Sequence, residues 1–169
     1  MFLVWTSFKI SDITELSVST LLLLSSKPKR ISAFAGDCED GDNTVEGAVP
    51  AYGPNGEIYV VWTGPNGLVF QKSDNGGKTW LKSELPIGPH PGGWAYKVPG
   101  ILRTNGLPIL LCDHSNGPNR GTLYLNWTDQ RNGEDNTDVW LSKSINNGER
   151  WSKPIKVNQD KDAEKCCPE

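Results

Sequence analysis

Three stretches gather side chains able to do chemistry. In residues 128–138, TDQRNGEDNTD, Asp129 and Arg131 flank Gln130 just after an apolar segment that includes Trp127. A carboxylate there can move a proton, and a guanidinium can grip an anionic group through two parallel hydrogen bonds. The same spacing equally fits a structural Asp129–Arg131 ion pair. In residues 87–98, IGPHPGGWAYKV, His90, Trp94 and Tyr96 stand among prolines and glycines. Aromatic faces stack on the apolar faces of pyranose rings, while Pro89, Pro91, Gly92 and Gly93 read as ordinary loop packing. In residues 32–46, Asp37, Glu39, Asp40, Asp42 and Glu46 crowd together. Such a charge run is a solvated loop. Carboxylates at this alternation also suit a calcium ion, with Asp37, Asp40 and Asp42 as its ligands, although the full EF-hand spacing is missing. Glu46 differs from the rest. It directly precedes an apolar strand, which places it at the mouth of that strand as a candidate base.

The elements that must position these residues read as strands. Short apolar runs bounded by Gly, Pro and Asn fall at residues 2–5, 20–24, 49–52, 57–63, 68–72, 80–85, 98–103, 108–112, 122–128, 139–143 and 152–157. No window holds a sustained 3.6-residue apolar period, so the chain is expected to be all-β with almost no helix. Two octets punctuate it: SDNGGKTW (Ser73 to Trp80) and SINNGERW (Ser144 to Trp151). Each follows a Lys and leads into a further strand. Asn-Gly is a strong turn signal, and Ser and Asp side chains bond backbone N–H groups a few residues on. Asp74 is expected to cap the first turn by accepting N–H bonds near residues 76–78, with Asn146 as its counterpart in the second. Around the octets the same phrase is written twice: strand, Gly-Pro-Asn turn, strand with Trp-Thr, loop, strand, octet. That is a four-stranded antiparallel meander, the blade unit of a β-propeller. The interval between octets exceeds a blade of ~40–50 residues, so one blade carries a long insertion or a degenerate strand lies between.

Composition narrows the options. The 169 residues suit one domain, and a net charge of −3 gives no electrostatic footprint for nucleic acid. No apolar run is long enough to span a bilayer. STLLLLSS (residues 19–26) lacks a basic segment close before it and reads as a buried strand, not a signal peptide. Cys38, Cys112, Cys166 and Cys167 have no metal-ligand spacing. The division expected is a degenerate blade remnant over residues 1–32, two blades over 33–158 and a flexible tail over 159–169.

The octets carry a family resemblance. SDNGGKTW resembles the Asp-box, S-x-D-x-G-x-[ST]-W, with Asp74 read as its acid, and SINNGERW resembles a degenerate copy. The structural Asp-box residues are then Ser73, Asp74, Gly77, Thr79 and Trp80, and Ser144, Asn146, Gly148 and Trp151. Residues 31–157, including GDCEDGDNTVEGAVPA and GTLYLNWTDQRNGEDNTDVW, look like bacterial sialidase (neuraminidase) superfamily proteins with BNR repeats. The resemblance implies a six-bladed propeller, of which this chain holds two recognisable four-stranded blades and a degenerate third, as in a fragment. It implies a secreted or periplasmic location, and a glycan or sialoglycoconjugate as partner. Open blades leave unpaired edges and uncovered apolar faces, which invite self-association.

Within that family the Asp-box is structural, because ligands gather at the opposite end of the blades. The loops of residues 32–46, 87–98 and 128–138 are expected to share that end. Sialidase chemistry needs three arginines on the substrate carboxylate, a Tyr nucleophile activated by Glu, and an Asp acid/base. By resemblance the catalytic set is Glu46, Asp129 and Arg131. Arg103, His90, Trp94 and Tyr96 would bind substrate, and no cofactor is implied. The arginine triad cannot be assembled from this chain alone. The reading is a sialidase-like exo-glycosidase present as an incomplete propeller; the alternatives are a non-catalytic glycan- or protein-binding module and an inactive fragment.

Overall fold

The computed structural model describes residues 2–8, 14–20, 28–36, 44–93, 95–98 and 100–159. They form thirteen strands and no helix. The strands are β1 (Phe2–Phe8), β2 (Thr14–Thr20), β3 (Lys29–Arg30), β4 (Glu46–Tyr52), β5 (Ile58–Gly64), β6 (Gly67–Ser73) and β7 (Leu85–Gly88). They continue with β8 (Tyr96–Val98), β9 (Ile101–Thr104), β10 (Ile109–Cys112), β11 (Leu123–Asp129), β12 (Asp138–Ser144) and β13 (Ile155–Lys156). Two four-stranded sheets have consecutive order, β4-β5-β6-β7 and β10-β11-β12-β13, and every pairing is antiparallel. The repeated meander is therefore real. A three-stranded sheet, β1-β2-β3, precedes the first, and a β8-β9 hairpin lies between the two.

The register explains the packing. Residues paired directly across strands share a face. In the first sheet Tyr59, Val61, Leu68 and Phe70 lie on one face; in the second, Leu110, Leu123, Leu125, Trp127 and Trp140 lie on one face. These nine buried side chains make a single core, so the two sheets are stacked face to face. The other face of the first sheet, Ile58, Val60, Trp62 and Val69, is buried against Ile31 and Val45, with Ala48 and Trp80 packed beside them. Buried on both faces, β5 is apolar throughout its first five residues, IYVVW.

Three expectations need correction. A strand was expected over residues 80–85, but β7 begins only at Leu85, because the octet turn holds its Thr79 and Trp80 first. One strand was expected over residues 98–103; instead β8 and β9 form a hairpin, and Gly100 (φ +81°) supplies the reversal. The strand β2 falls before the apolar run it was expected to occupy, of which residues 21–24 lie outside the described residues. Where a degenerate blade was expected, the described residues form a three-stranded sheet in which β1 and β2 pair along their full length and β3 adds two paired positions.

Candidate functional site

The two octets fold alike. Ser73 Oγ accepts from Asn75 N (3.4 Å) and Gly77 N (2.8 Å), and Ser144 Oγ accepts from Asn146 N (3.5 Å) and Gly148 N (2.9 Å). Asn75 Oδ1 accepts from Thr79 N (2.8 Å), as Asn146 Oδ1 does from Arg150 N (3.0 Å). The capping residue of the first turn is thus Asn75, and the expectation for Asp74 was one residue out of register. Asp74 points outward, its side chain 63 % exposed, with its carboxylate 3.6 Å from Lys72 Nζ. The physical reason is spacing: only the third octet position looks back across the loop at the seventh residue's N–H. The two copies differ at Trp. Trp80 Nε1 donates to Gly77 O (3.1 Å), while Trp151 leaves its N–H unpaired and meets the Phe70 ring edge-on, 5.7 Å between centroids.

Both octets sit at one end of the stack, since Ser73 pairs with Ile58 and Ser144 with Leu123. At the other end the chain before β4, the β5–β6 turn and the loops after β7 and β11 come together. His90 pins them. Its Nδ1 lies 2.9 Å from Thr63 Oγ1, and its Nε2 lies 3.1 Å from Gly106 O and 3.0 Å from Thr128 O. Two carbonyls on Nε2 fix the proton there, so Nδ1 accepts from the Thr63 hydroxyl. Burial lowers the His90 pKa below the usual histidine value, and the ring is held neutral. Gln130 N donates to Pro91 O (3.0 Å), and Gly106 N to Gly93 O (2.8 Å). The loops of residues 87–98 and 128–138 therefore do meet, as the meander geometry requires. A groove of about 420 Å³ runs between residues 64–67 and 89–92, floored by His90.

The expected chemical groups are placed as follows. Asp129 is fully buried. Its Oδ1 accepts from Arg131 N (3.2 Å) and Nε (2.9 Å); its Oδ2 accepts from Trp127 Nε1 (2.9 Å) and from Arg131 Nε (3.1 Å) and Nη2 (2.5 Å). The Arg131 guanidinium covers the Trp140 ring at 4.3 Å and the Trp127 ring at 5.6 Å. The cluster is thus an ion pair capped onto two indoles, the structural alternative. Tyr96 directs its hydroxyl to Asn105 O (3.2 Å) and Thr128 Oγ1 (2.5 Å). Glu46 begins β4, half-buried and paired in register with Thr63. A bulge between Glu46 and Val49, with Gly47 at φ +66°, re-aims this strand end. Arg103 lies on β9. Trp94 and the calcium candidates Asp37, Asp40 and Asp42 fall outside the described residues. Among the described residues no group of three His, Cys, Asp or Glu side chains could hold a metal ion, and no helix is long and apolar enough to cross a membrane.

A second buried carboxylate was missed. Asp138, opposite Asp129, accepts from Asn132 Nδ2 (2.6 Å) and Asn158 Nδ2 (2.8 Å) and pairs with Lys156 Nζ (2.6 Å). Burial alone would raise its pKa, but the bonds from Lys156, Asn158 and Asn132 outweigh that and hold it below the usual carboxylate value. Its signal in the sequence was Asp138 at a strand start with Lys156 on the adjoining strand. No protein-family model and no curated protein matches the chain.

Proposed function

We propose that this chain is part of the carbohydrate-handling propeller of a sialidase-like glycoside hydrolase, and that alone it holds a glycan at its loop end without cleaving it. The observation that carries this reading is the polarity of the repeat. Both octets lie at one end of two stacked four-stranded sheets, and the groove of residues 64–67 and 89–92 opens at the other. Residues at this end offer backbone groups, Asn66 and the Pro89 and Pro91 rings, which suit a hydroxyl-rich ligand.

Binding without turnover follows from the pairing of the chemical groups. Both Asp129 oxygens are filled by Trp127 and Arg131, and Arg131 uses its fork on Asp129. A proton donor or a carboxylate clamp must be available to substrate, and these two are engaged with each other. His90 is consumed by three protein oxygens. The test is a fluorogenic sialoside assay on the full chain, run beside a binding titration with the non-hydrolysed glycan. The expected result is saturable binding with turnover no greater than the buffer rate. Turnover that disappears in Glu46→Gln would overturn the non-catalytic half of the reading.

A further inference from the structure

His90 is caged at the loop end by four separate pieces of chain. It is 7 % exposed and lines the groove of residues 64–67 and 89–92. Its Nε2 is held by Gly106 O and Thr128 O, and its Nδ1 by the Thr63 hydroxyl. The ring lies on Gly93, where an added Cβ would overlap it. One imidazole therefore ties β5, β11 and the segment before β10 to its own loop. The bonds from Gly106 N to Gly93 O and from Gln130 N to Pro91 O sit around the same ring.

The cage suits one protonation state. Nε2 carries a proton in either state, so a second proton enters at Nδ1. Nδ1 then becomes a donor aimed at the Thr63 hydroxyl, whose own proton must turn away. Thr63 is fully buried, and among the described residues its hydroxyl has no hydrogen-bond partner besides His90. The ionisable neighbours act against one another. Asp129 favours the cation and Arg131 opposes it, and both Asp129 oxygens are already filled. Glu46 stands opposite Thr63 on β4, and the Tyr96 hydroxyl is bonded to Thr128 Oγ1. Residues 85–93 carry no other ionisable side chain. A buried cation beside an orphaned hydroxyl is costly, whereas the groove leads to water. We infer that His90 is a proton-operated clasp: on gaining its second proton the ring leaves Gly93 for the groove and releases Gly106 O and Thr128 O. The groove then opens at its floor, while the octets and the sheet stack stay closed. The clasp does not depend on the glycan reading, because no ligand takes part in it.

Nuclear magnetic resonance of the isotope-labelled full chain tests it between pH 8 and 4.5. The chain has two histidines, and His114→Gln assigns the His90 ring signals. The His90 ring should titrate with a midpoint below 6.5, because its closed-state pKa is lowered. Exchange protection of the Gly106 and Gln130 amides should fall up to tenfold for each pH unit between 6.5 and that lower value. Protection within β5 and β12 should stay unchanged over the same range. Gly93→Ala should reproduce the open state at pH 7, since Gly93 has no positive φ and the added methyl meets only the ring. His90→Gln should remove the pH dependence of both amides. A His90 ring that titrates while Gly106 and Gln130 stay protected would overturn the inference. So would a midpoint at or above 6.5, or a pH dependence that survives in His90→Gln. Loss of protection in β5 and β12 together with the loops would also overturn it, by showing general unfolding in place of a local clasp.

Discussion

Asp129 and Asp138 stand directly opposite one another across β11 and β12, both fully buried, and each is neutralised by its own cation, Arg131 at 2.5 Å and Lys156 at 2.6 Å. Two unscreened carboxylates at this spacing would repel, so the strand pairing at the loop end depends on both cations. Arg131→Ala should therefore cost ~2–3 kcal/mol, less than for a wholly enclosed pair because Arg131 is a quarter exposed. Arg131→Lys should recover little, since lysine lacks the fork and the planar face on Trp140. Urea unfolding at pH 7 measures both. Wild-type stability in Arg131→Ala would show that the pair is not structural.

Acid should act on the same strands. Asp138 has a lowered pKa in the fold, so the unfolded chain binds the proton more tightly. Its stabilising contribution is complete above the ordinary carboxylate value near 3.8 and is lost as pH falls through the lower folded value. His90 adds a separate window. Its folded pKa is also lowered, so stability is complete above 6.5 and declines as pH drops below it. A stability profile from pH 8 to 3 should fall in two stages, and Asp138→Asn should shrink the more acidic one, to which Glu57 and Asp113, also held below the usual carboxylate value, contribute. An unchanged acidic stage in that variant would contradict the assignment.

The octet makes a sharp comparison between neighbours. Asn75→Ala should cost ~1–2 kcal/mol, as loss of a capping acceptor does. Asp74→Ala should change stability by less than ~0.5 kcal/mol, because an exposed ion pair contributes little. Asn75→Asp should retain the turn, since a carboxylate oxygen accepts from Thr79 N equally well. Equal losses for Asp74→Ala and Asn75→Ala in thermal unfolding would restore the earlier assignment.

That comparison also shows what was legible in the sequence. The meander was, because strand alternation, Gly-Pro-Asn turns and paired Trp residues are local signals. The shared loop end was too, because strand direction alternates by necessity. Which side chain caps the octet was legible as well, since the third position of S-x-D-x-G-x-[ST]-W is Asn75 here and Asn146 in the second octet; the expectation for Asp74 placed the acid one position early. The fate of Asp129 and Arg131 was open. Their spacing fits a ligand site and an ion pair alike, and the indoles of Trp127 and Trp140, brought in by pairing across β11 and β12, tip it to the pair. Lys156 reaches Asp138 only because β13 folds back on β12.

Gly148 joins the sheets in a way that substitution can expose. It has φ +82°, and a Cβ there would sit 2.2 Å from the Phe70 ring of the first sheet. Gly148→Ala should cost ~3 kcal/mol or more, combining left-handed strain with overpacking. Gly76→Ala, at φ +68° with open space around it, should cost only the strain, ~1 kcal/mol. Similar denaturation midpoints for the two variants would mean that the sheets do not press together at the second octet.

The most direct test of the functional reading is an amide-shift titration of isotope-labelled full chain with a sialylated glycan. The account predicts saturable shifts confined to residues 64–67, 89–92 and 130–137, with the glycan recovered intact. Shifts centred on residues 73–80 and 144–151, or no shifts at any glycan concentration, would contradict it.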